Sequence, residues 1–257
     1  LERNLLLAEA GPEFVNIVLN GESARFGAGW DAPGDGAAII SDWLKGRMDK
    51  FRLSCVPVAN ARETVVRLAG GGALKNALNK TPGYAVRAHF PICDRLNEKT
   101  HEFGREKLPC QTILHAALPV KISEGLVGMC GAWGIRTDKI KRIVTSEYAA
   151  IRCVCESAKP AAVAMIPQEG GTRLIAFEGG KPAGIFFVSS DPEYRLLELD
   201  RIVKATRTVE DGSAAVLFSS EPDGYEWIGD YFASVKMAFE VNGDMLSDFY
   251  KIAARDA

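Results

Sequence analysis

The chain is 257 residues long, 47% hydrophobic and 25% charged, which supplies a real apolar core and carries no signature of disorder. Its length exceeds the ~100–200 residues usual for one domain, so one large α/β domain or two lobes of about half that size is expected. Thirty-one basic against thirty-three acidic residues leave a formal charge of −2, too little to concentrate a polyanion, which argues against nucleic acid as a partner. No apolar run approaches the ~18–20 residues needed to span a bilayer, and residues 1–7 hold too short an apolar stretch for a secretory signal.

Residues 14–19 alternate as a strand does, and Asn20-Gly21 is a strong two-residue hairpin signal leading into 23–30, so the chain is expected to open on a β-hairpin. After the breakers Pro33, Gly34 and Gly36, the apolar residues Ile39, Ile40, Trp43, Leu44, Met48 and Phe51 recur at helical spacing. Strands at 53–58 and 63–68 follow, and Gly70-Gly71-Gly72 lead into a helix at 73–79. Residues 80–108, with Pro82 and Pro91, read as a strand at 84–88 and an exposed loop. Strand 111–118, helix 120–133, strand 139–145 and helix 147–156 then alternate. Three short β-runs at 161–166, 172–178 and 183–189, separated by Gln168-Glu169-Gly170-Gly171 and Gly179-Gly180-Lys181-Pro182, predict a three-stranded meander. A helix at 193–206 presents Leu196, Leu197, Leu199, Ile202 and Val203 as its apolar face. A strand at 214–218, a helix near 227–237 and a last helix at 245–254 complete the reading.

Six cysteines spread along so long a chain read as buried thiols of a reducing compartment. His89, Cys93, His101, Cys110 and His115 gather zinc-ligand types, yet no Cys-x-x-Cys pair fixes two ligands on one turn, and no metal is expected. Gly27-Ala28-Gly29-Trp30-Asp31-Ala32 matches the dinucleotide fingerprint in its letters, but the breakers that follow deny it the helix it needs. There is no Gly-x-Ser-x-Gly elbow, Walker loop or His-Glu-x-x-His, and three histidines leave few general bases, so no catalytic residue is assigned. Cys153 and Cys155 diverge by roughly 200° on a helix, which predicts one buried and one exposed thiol. Arg47, Lys50 and Arg52 with Trp43 and Phe51 form a small basic and aromatic patch that a solvated helix end explains.

The second half reads hairpin, strand, helix, strand, helix, and the first half also begins with a hairpin before helices and strands alternate. This duplicated βββαβαβα order resembles the α/β actin-like (ribonuclease H-like) ATPase fold, whose two lobes face each other around a cleft. On that resemblance residues 12–158 form the first lobe, with an irregular insertion near 80–108, and 159–257 the second. Residues 161–166, the turn Pro167-Gln168-Glu169-Gly170-Gly171-Thr172 and residues 173–189 are similar to the opening of the second lobe in pilus-assembly proteins of PilM type and the cytoplasmic region of secretion proteins of GspL type. Residues 120–135 and 139–144 look like that family's helix and strand just upstream, and 214–219 like its last core strand.

The resemblance implies that active members cradle nucleotide phosphates between two glycine-bearing turns, one per lobe, with an acidic residue serving the metal ion. If ATP and Mg bind this chain, the contacts fall to Gly170, Gly171 and Thr172, with Glu169 near the metal. The sequence departs from that pattern in three places. Its first turn is expected at Leu19-Asn20-Gly21-Glu22-Ser23, which has no Asp-x-Gly. Glu169 stands where Asp is usual and Pro167 where a strand residue belongs. Ser219-Ser220-Glu221-Pro222-Asp223-Gly224 replaces the glycine pair on the adenine side. What the resemblance then implies is a non-catalytic scaffold or adaptor without a cofactor. It would sit in the cytoplasm at the inner face of a bacterial inner membrane, in the platform of a type IV pilus or type II secretion machine, docking a membrane partner's cytoplasmic segment. The alternative is an ATP-binding kinase or ATPase of the same fold.

Overall fold

The computed structural model describes residues 5–32, 34–48, 52–70, 84–92, 112–156, 162–178, 181–206, 214–218, 225, 227 and 234–237. The first strand, β1, is Leu5–Ala10, and all six of its residues are buried. Leu5 and Leu7 enter one core and Leu6, Ala8 and Ala10 another, so the strand is covered on both faces. β1 pairs antiparallel with β2 (Val15–Leu19), and β2 with β3 (Glu22–Phe26). The Asn20-Gly21 turn is present, with φ of 54° and 89° as a type I′ turn requires. It joins the second and third strands instead of opening the chain, so the sheet begins at Leu5, ahead of the expected start at residue 12. β4 (Ser54–Ala59) and β8 (Val144–Thr145) add in parallel, giving the order β3-β2-β1-β4-β8.

The second sheet repeats this plan. β9 (Val163–Gln168), β10 (Gly171–Glu178) and β11 (Lys181–Ser189) form the antiparallel meander, and β12 (Ala214–Leu217) and β13 (Ser234–Met237) add in parallel. The order β11-β10-β9-β12-β13 is that of the first sheet, position for position. Between β4 and β8 a third, antiparallel sheet runs β5-β7-β6, from β5 (Val65–Gly70), β6 (Tyr84–Ile92) and β7 (Thr112–Pro119). The strand expected at 84–88, within the insertion near 80–108, is present and runs on to Ile92 as the nine-residue β6 of this sheet.

Among the described residues four helices pack on the sheets: α1 (Ala37–Leu44), α2 (Val120–Ala132), α3 (Ser146–Glu156) and α4 (Pro192–Thr206). α1 is shorter than its apolar periodicity suggests because Gly46, at φ 78°, turns the chain out in the left-handed conformation. α3 starts where the Thr145 hydroxyl accepts the Tyr148 amide at 3.2 Å, and α4 where Asp191 accepts the Glu193 amide at 3.0 Å ahead of Pro192. α3 lies between the two large sheets: Ala149, Ala150, Ile151 and Val154 share one core with Leu5, Leu7 and Val56 from the first and Ala164, Ile166 and Ile175 from the second. α1 and α2 cover the opposite face of the first sheet, and Leu199 and Ile202 of α4 that of the second. Leu196 and Leu197, expected inside, are exposed, because α4 meets its sheet along a narrower stripe than its sequence pattern offers.

Two further expectations change. The strand expected at 139–145 reduces to a 3-10 turn at Thr137–Lys139, a single bridge from Ile140 to Cys55 near the start of β4, and the two residues of β8 beside its end. Where a helix was expected near 227–237, Ser234–Met237 is a strand, its backbone pairing with β12 overriding local helical spacing. The helices expected at 73–79 and 245–254 lie outside the described residues. Among the described residues no helix is long and apolar enough to cross a membrane.

Candidate functional site: the cleft between two equivalent turns

The repeated strand order makes two turns equivalent: residues 11–14, from β1 to β2, and Glu169-Gly170, from β9 to β10. A cavity of about 530 Å³ lies against both. Pro12 comes from the first turn and Glu169 from the second; Asn60, Ala61, Arg62 and Glu63 follow β4; Trp30 and Asp31 follow β3; Pro119, Lys121, Ile122, Glu124 and Gly125 belong to the entry and first turns of α2.

The first turn is closed by its own backbone. The Gly11 amide donates to Phe14 O at 2.9 Å, the Gly11 carbonyl accepts from the Trp30 amide at 3.3 Å, and Pro12 has no N–H to offer. Gly29 lets the next loop press on this turn, for a Cβ there would sit 2.2 Å from the Pro12 carbonyl oxygen. Gly29 of the 27–32 run thus serves close packing, whereas a Cβ on Gly27 would meet nothing within 4 Å, and the next helix begins only at Ala37. Gly125 does the same for α2, since its Cβ would lie 3.0 Å from the Trp30 carbonyl oxygen.

At the second turn one glycine serves a backbone angle and the other close packing. Gly170 is left-handed at φ 72°, and a Cβ on Gly171 would meet Val188 O at 2.1 Å. Thr172 is buried on β10. Arg62 reaches across to this turn: its Nη1 is 3.3 Å from where a Gly170 Cβ would stand, and its guanidinium stacks 4.6 Å from the Phe187 ring centre.

Polar side chains tie the two turns' surroundings together. Asn60 donates to Pro167 O at 3.0 Å, Gln168 to Ala61 O at 3.4 Å, and Arg173 Nη2 to Arg62 O at 2.9 Å. Glu147, at the start of α3, accepts from Gln168 at 2.9 Å and pairs with Arg173 Nε at 3.4 Å. Glu9, at the end of β1, accepts from Asn16, Asn60 and Ser146, each at 3.1 Å. Burial pushes both carboxyls above their ordinary range; hydrogen bonds to both, with Arg25 acting on Glu9 and Arg173 on Glu147, pull against that rise.

Of the residues named from the sequence, Glu169 lines the cavity, Gly170 forms the turn, and Gly171 and Thr172 lie in the following strand. Residues 19–23 are not the equivalent turn, since they join β2 to β3. The acidic-x-Gly run at the true position is Glu9-Ala10-Gly11. It was legible only with β1 recognised, and the carboxyl it supplies is turned into the Asn16, Asn60 and Ser146 cluster. His89 and His115 are register partners of β6 and β7, while Cys93, His101 and Cys110 lie outside the described residues; among those described no group of three metal-ligating side chains forms. Cys153 is buried and Cys155 partly so.

A nucleotide triphosphate fits this cavity poorly. In the first turn the Gly11 amide is bonded within the turn and Pro12 has none to offer, and Asp31, Glu63, Glu124 and Glu169 set four carboxylates against Arg62 and Lys121 around the space a polyanion would enter.

Two sheets of one strand order around a cleft define the actin-like ATPase fold, and solved structures agree. The structure matches a Bacteroides thetaiotaomicron VPI-5482 protein of actin-like ATPase fold and unknown function at TM-score 0.57 and 9% identity, covering 97% of this chain and 96% of that one. It matches a chain of a PilM-PilN type IV pilus biogenesis complex at TM-score 0.61 and 12% identity, over 98% of both chains. A looser likeness, TM-score 0.48 at 10% identity over 98% and 95%, is to the cytoplasmic domain of EpsL, an inner-membrane component of the type II secretion system of Vibrio cholerae. No family model and no curated protein matches the sequence. The fold expected from the sequence is therefore the fold found.

Proposed function

We propose that the chain is a non-catalytic scaffold of the PilM kind, docking the cytoplasmic segment of a membrane partner in the inner-membrane platform of a type IV pilus or type II secretion machine. In this reading residues 12–158, extended to include β1, and 159–257 are its two lobes. One observation carries the absence of chemistry: the turn equivalent to Glu169-Gly170 has its Gly11 amide bonded within the turn and a proline next to it. The protein bridges from Asn60, Gln168 and Arg173 support the same reading, because they join the two halves where a nucleotide would otherwise join them. The likeness to a chain of a PilM-PilN complex, over 98% of both chains, supports the choice of machine.

Thermal unfolding with millimolar MgATP tests this. A ligand at 100 times its Kd adds about 2.7 kcal/mol, so an ATPase or kinase would melt visibly later. The expected outcome is an unmoved curve and no release of phosphate; a clear upward shift would return the chain to the nucleotide-binding members of the fold.

A further inference from the structure

The two residues that close the first hairpin carry chemistry of their own. We propose that Asn20-Gly21 is a site of covalent self-modification, at which the asparagine is converted to isoaspartate and the segment after α1 is released from the hairpin. The site stands whether or not the chain is a scaffold.

Asn20 and Gly21 are both exposed, and the attacking group is unhindered, since nothing lies within 4 Å of where a Gly21 Cβ would stand. Leu19 and Glu22 form the last register pair of β2 and β3, so the Gly21 amide lies outside the ladder. That nitrogen, once it gives up its proton, attacks Asn20 Cγ: a C–N bond forms, the Nδ2 group leaves as ammonia, and a five-membered succinimide closes. Water then opens the ring at one carbonyl to give aspartate or at the other to give isoaspartate, so one ammonia is exchanged for one water and nothing is oxidised. Asn20 is held left-handed at φ 54°, and the ψ of a type I′ turn points the next nitrogen away from Cβ. Ring closure therefore waits for the turn to open. Three contacts resist that opening. Asn20 Nδ2 donates to Arg47 O at 3.1 Å, Arg47 Nε pairs with Glu22 at 2.7 Å, and the Arg47 guanidinium stacks 4.9 Å from the Trp43 ring centre. Both products put a carboxylate, which has no hydrogen to donate, where Nδ2 faced the Arg47 carbonyl. Isoaspartate also adds a methylene to the main chain between Leu19 and Glu22, which a two-residue turn has no slack to absorb. Asn16, buried on β2 and followed by β-branched Ile17, has neither the access nor the unhindered amide.

The full chain is incubated in mildly alkaline buffer, natively and in urea. Isoaspartate is read by methyl transfer from S-adenosylmethionine with protein isoaspartyl methyltransferase, and located by peptide mass. Trypsin separates the turn, in 4–25, from the chain's other Asn-Gly, Asn242-Gly243 in 237–251, which lies outside the described residues. In the native protein isoaspartate is expected at Asn20 and not at Asn16, and at Asn20 it should form severalfold faster in urea. Arg47→Ala, which removes the ion pair and the stacking, should speed the native reaction roughly fivefold and leave the urea rate unchanged. Asn20→Gln keeps an amide but would have to close a six-membered ring, so it should silence peptide 4–25. A released segment is cut more readily, and brief native digestion should cleave after Arg47 severalfold faster in the converted fraction than in fresh protein. No conversion at Asn20 in the native protein, whatever happens in urea, overturns the proposal. So does a native rate indifferent to Arg47→Ala, or conversion that leaves cleavage after Arg47 unchanged.

Discussion

The β1–β2 and β9–β10 turns occupy one position in a repeated plan and have opposite construction. In the first, glycine provides room: Gly29 is needed because the Pro12 and Gly11 carbonyl oxygens are 2.2 and 2.3 Å from where its side chain would begin. In the second, Gly170 provides a backbone angle, at φ 72°, with only the flexible end of Arg62 near its missing Cβ. Topology decides where a turn stands; whether its amides face outward depends on what the rest of the chain packs on it.

The largest effect should come from the anchor of the second hairpin. Arg173→Ala leaves Glu147, 0% exposed, without its cation, and urea unfolding should register a loss of about 3 kcal/mol. A loss under about 1 kcal/mol would mean that the bridge contributes little to holding the hairpin. Next, Gly29→Ala must push a pair of backbone segments apart and should lower stability by about 2 kcal/mol, against about 1 kcal/mol for Gly170→Ala, which incurs only the cost of a left-handed residue. Equal losses would erase the contrast between room and angle. Smaller again is Arg62→Ala, which removes the stacking on Phe187 and should cost about 0.5–1 kcal/mol in the same assay.

A pH series has a sign in place of a size. Glu9 and Glu147 are raised above 4.5 by burial, so the native state holds protons where the unfolded chain has released them. Their contribution to stability is full below that value and is lost as pH rises through the raised folded values. The urea midpoint should therefore fall as pH rises above 4.5 by more in the parent protein than in a Glu9→Gln/Glu147→Gln variant. A parent slope no steeper than the variant's contradicts the burial of these carboxyls.

The second sheet was readable because Gly170-Gly171 and Gly179-Gly180 bracket its strands and alternation marks them. The first was misplaced by one strand. Leu5-Leu6-Leu7-Ala8 is apolar on both faces, so it gives no period to distinguish a central strand from any other short apolar run. That miss moved the equivalent turn to Asn20-Gly21 and hid Glu9-Ala10-Gly11. The cavity could not be read at all: Trp30, Asn60, Glu124 and Glu169 are far apart in the chain, and only the closing of both sheets around α3 brings them together. Glu169 was nevertheless named in advance, since its turn could be found from local signals alone.

α3 has consequences for how the molecule comes apart. Ala149–Val154 is sheathed on all sides by strands from both halves. Severing the chain between its end and β9 would bare a wide apolar face on each fragment, and the two should regain solubility only when expressed together. A pull applied to one half should therefore be felt in the other, with α3 as the rigid strut that transmits the load.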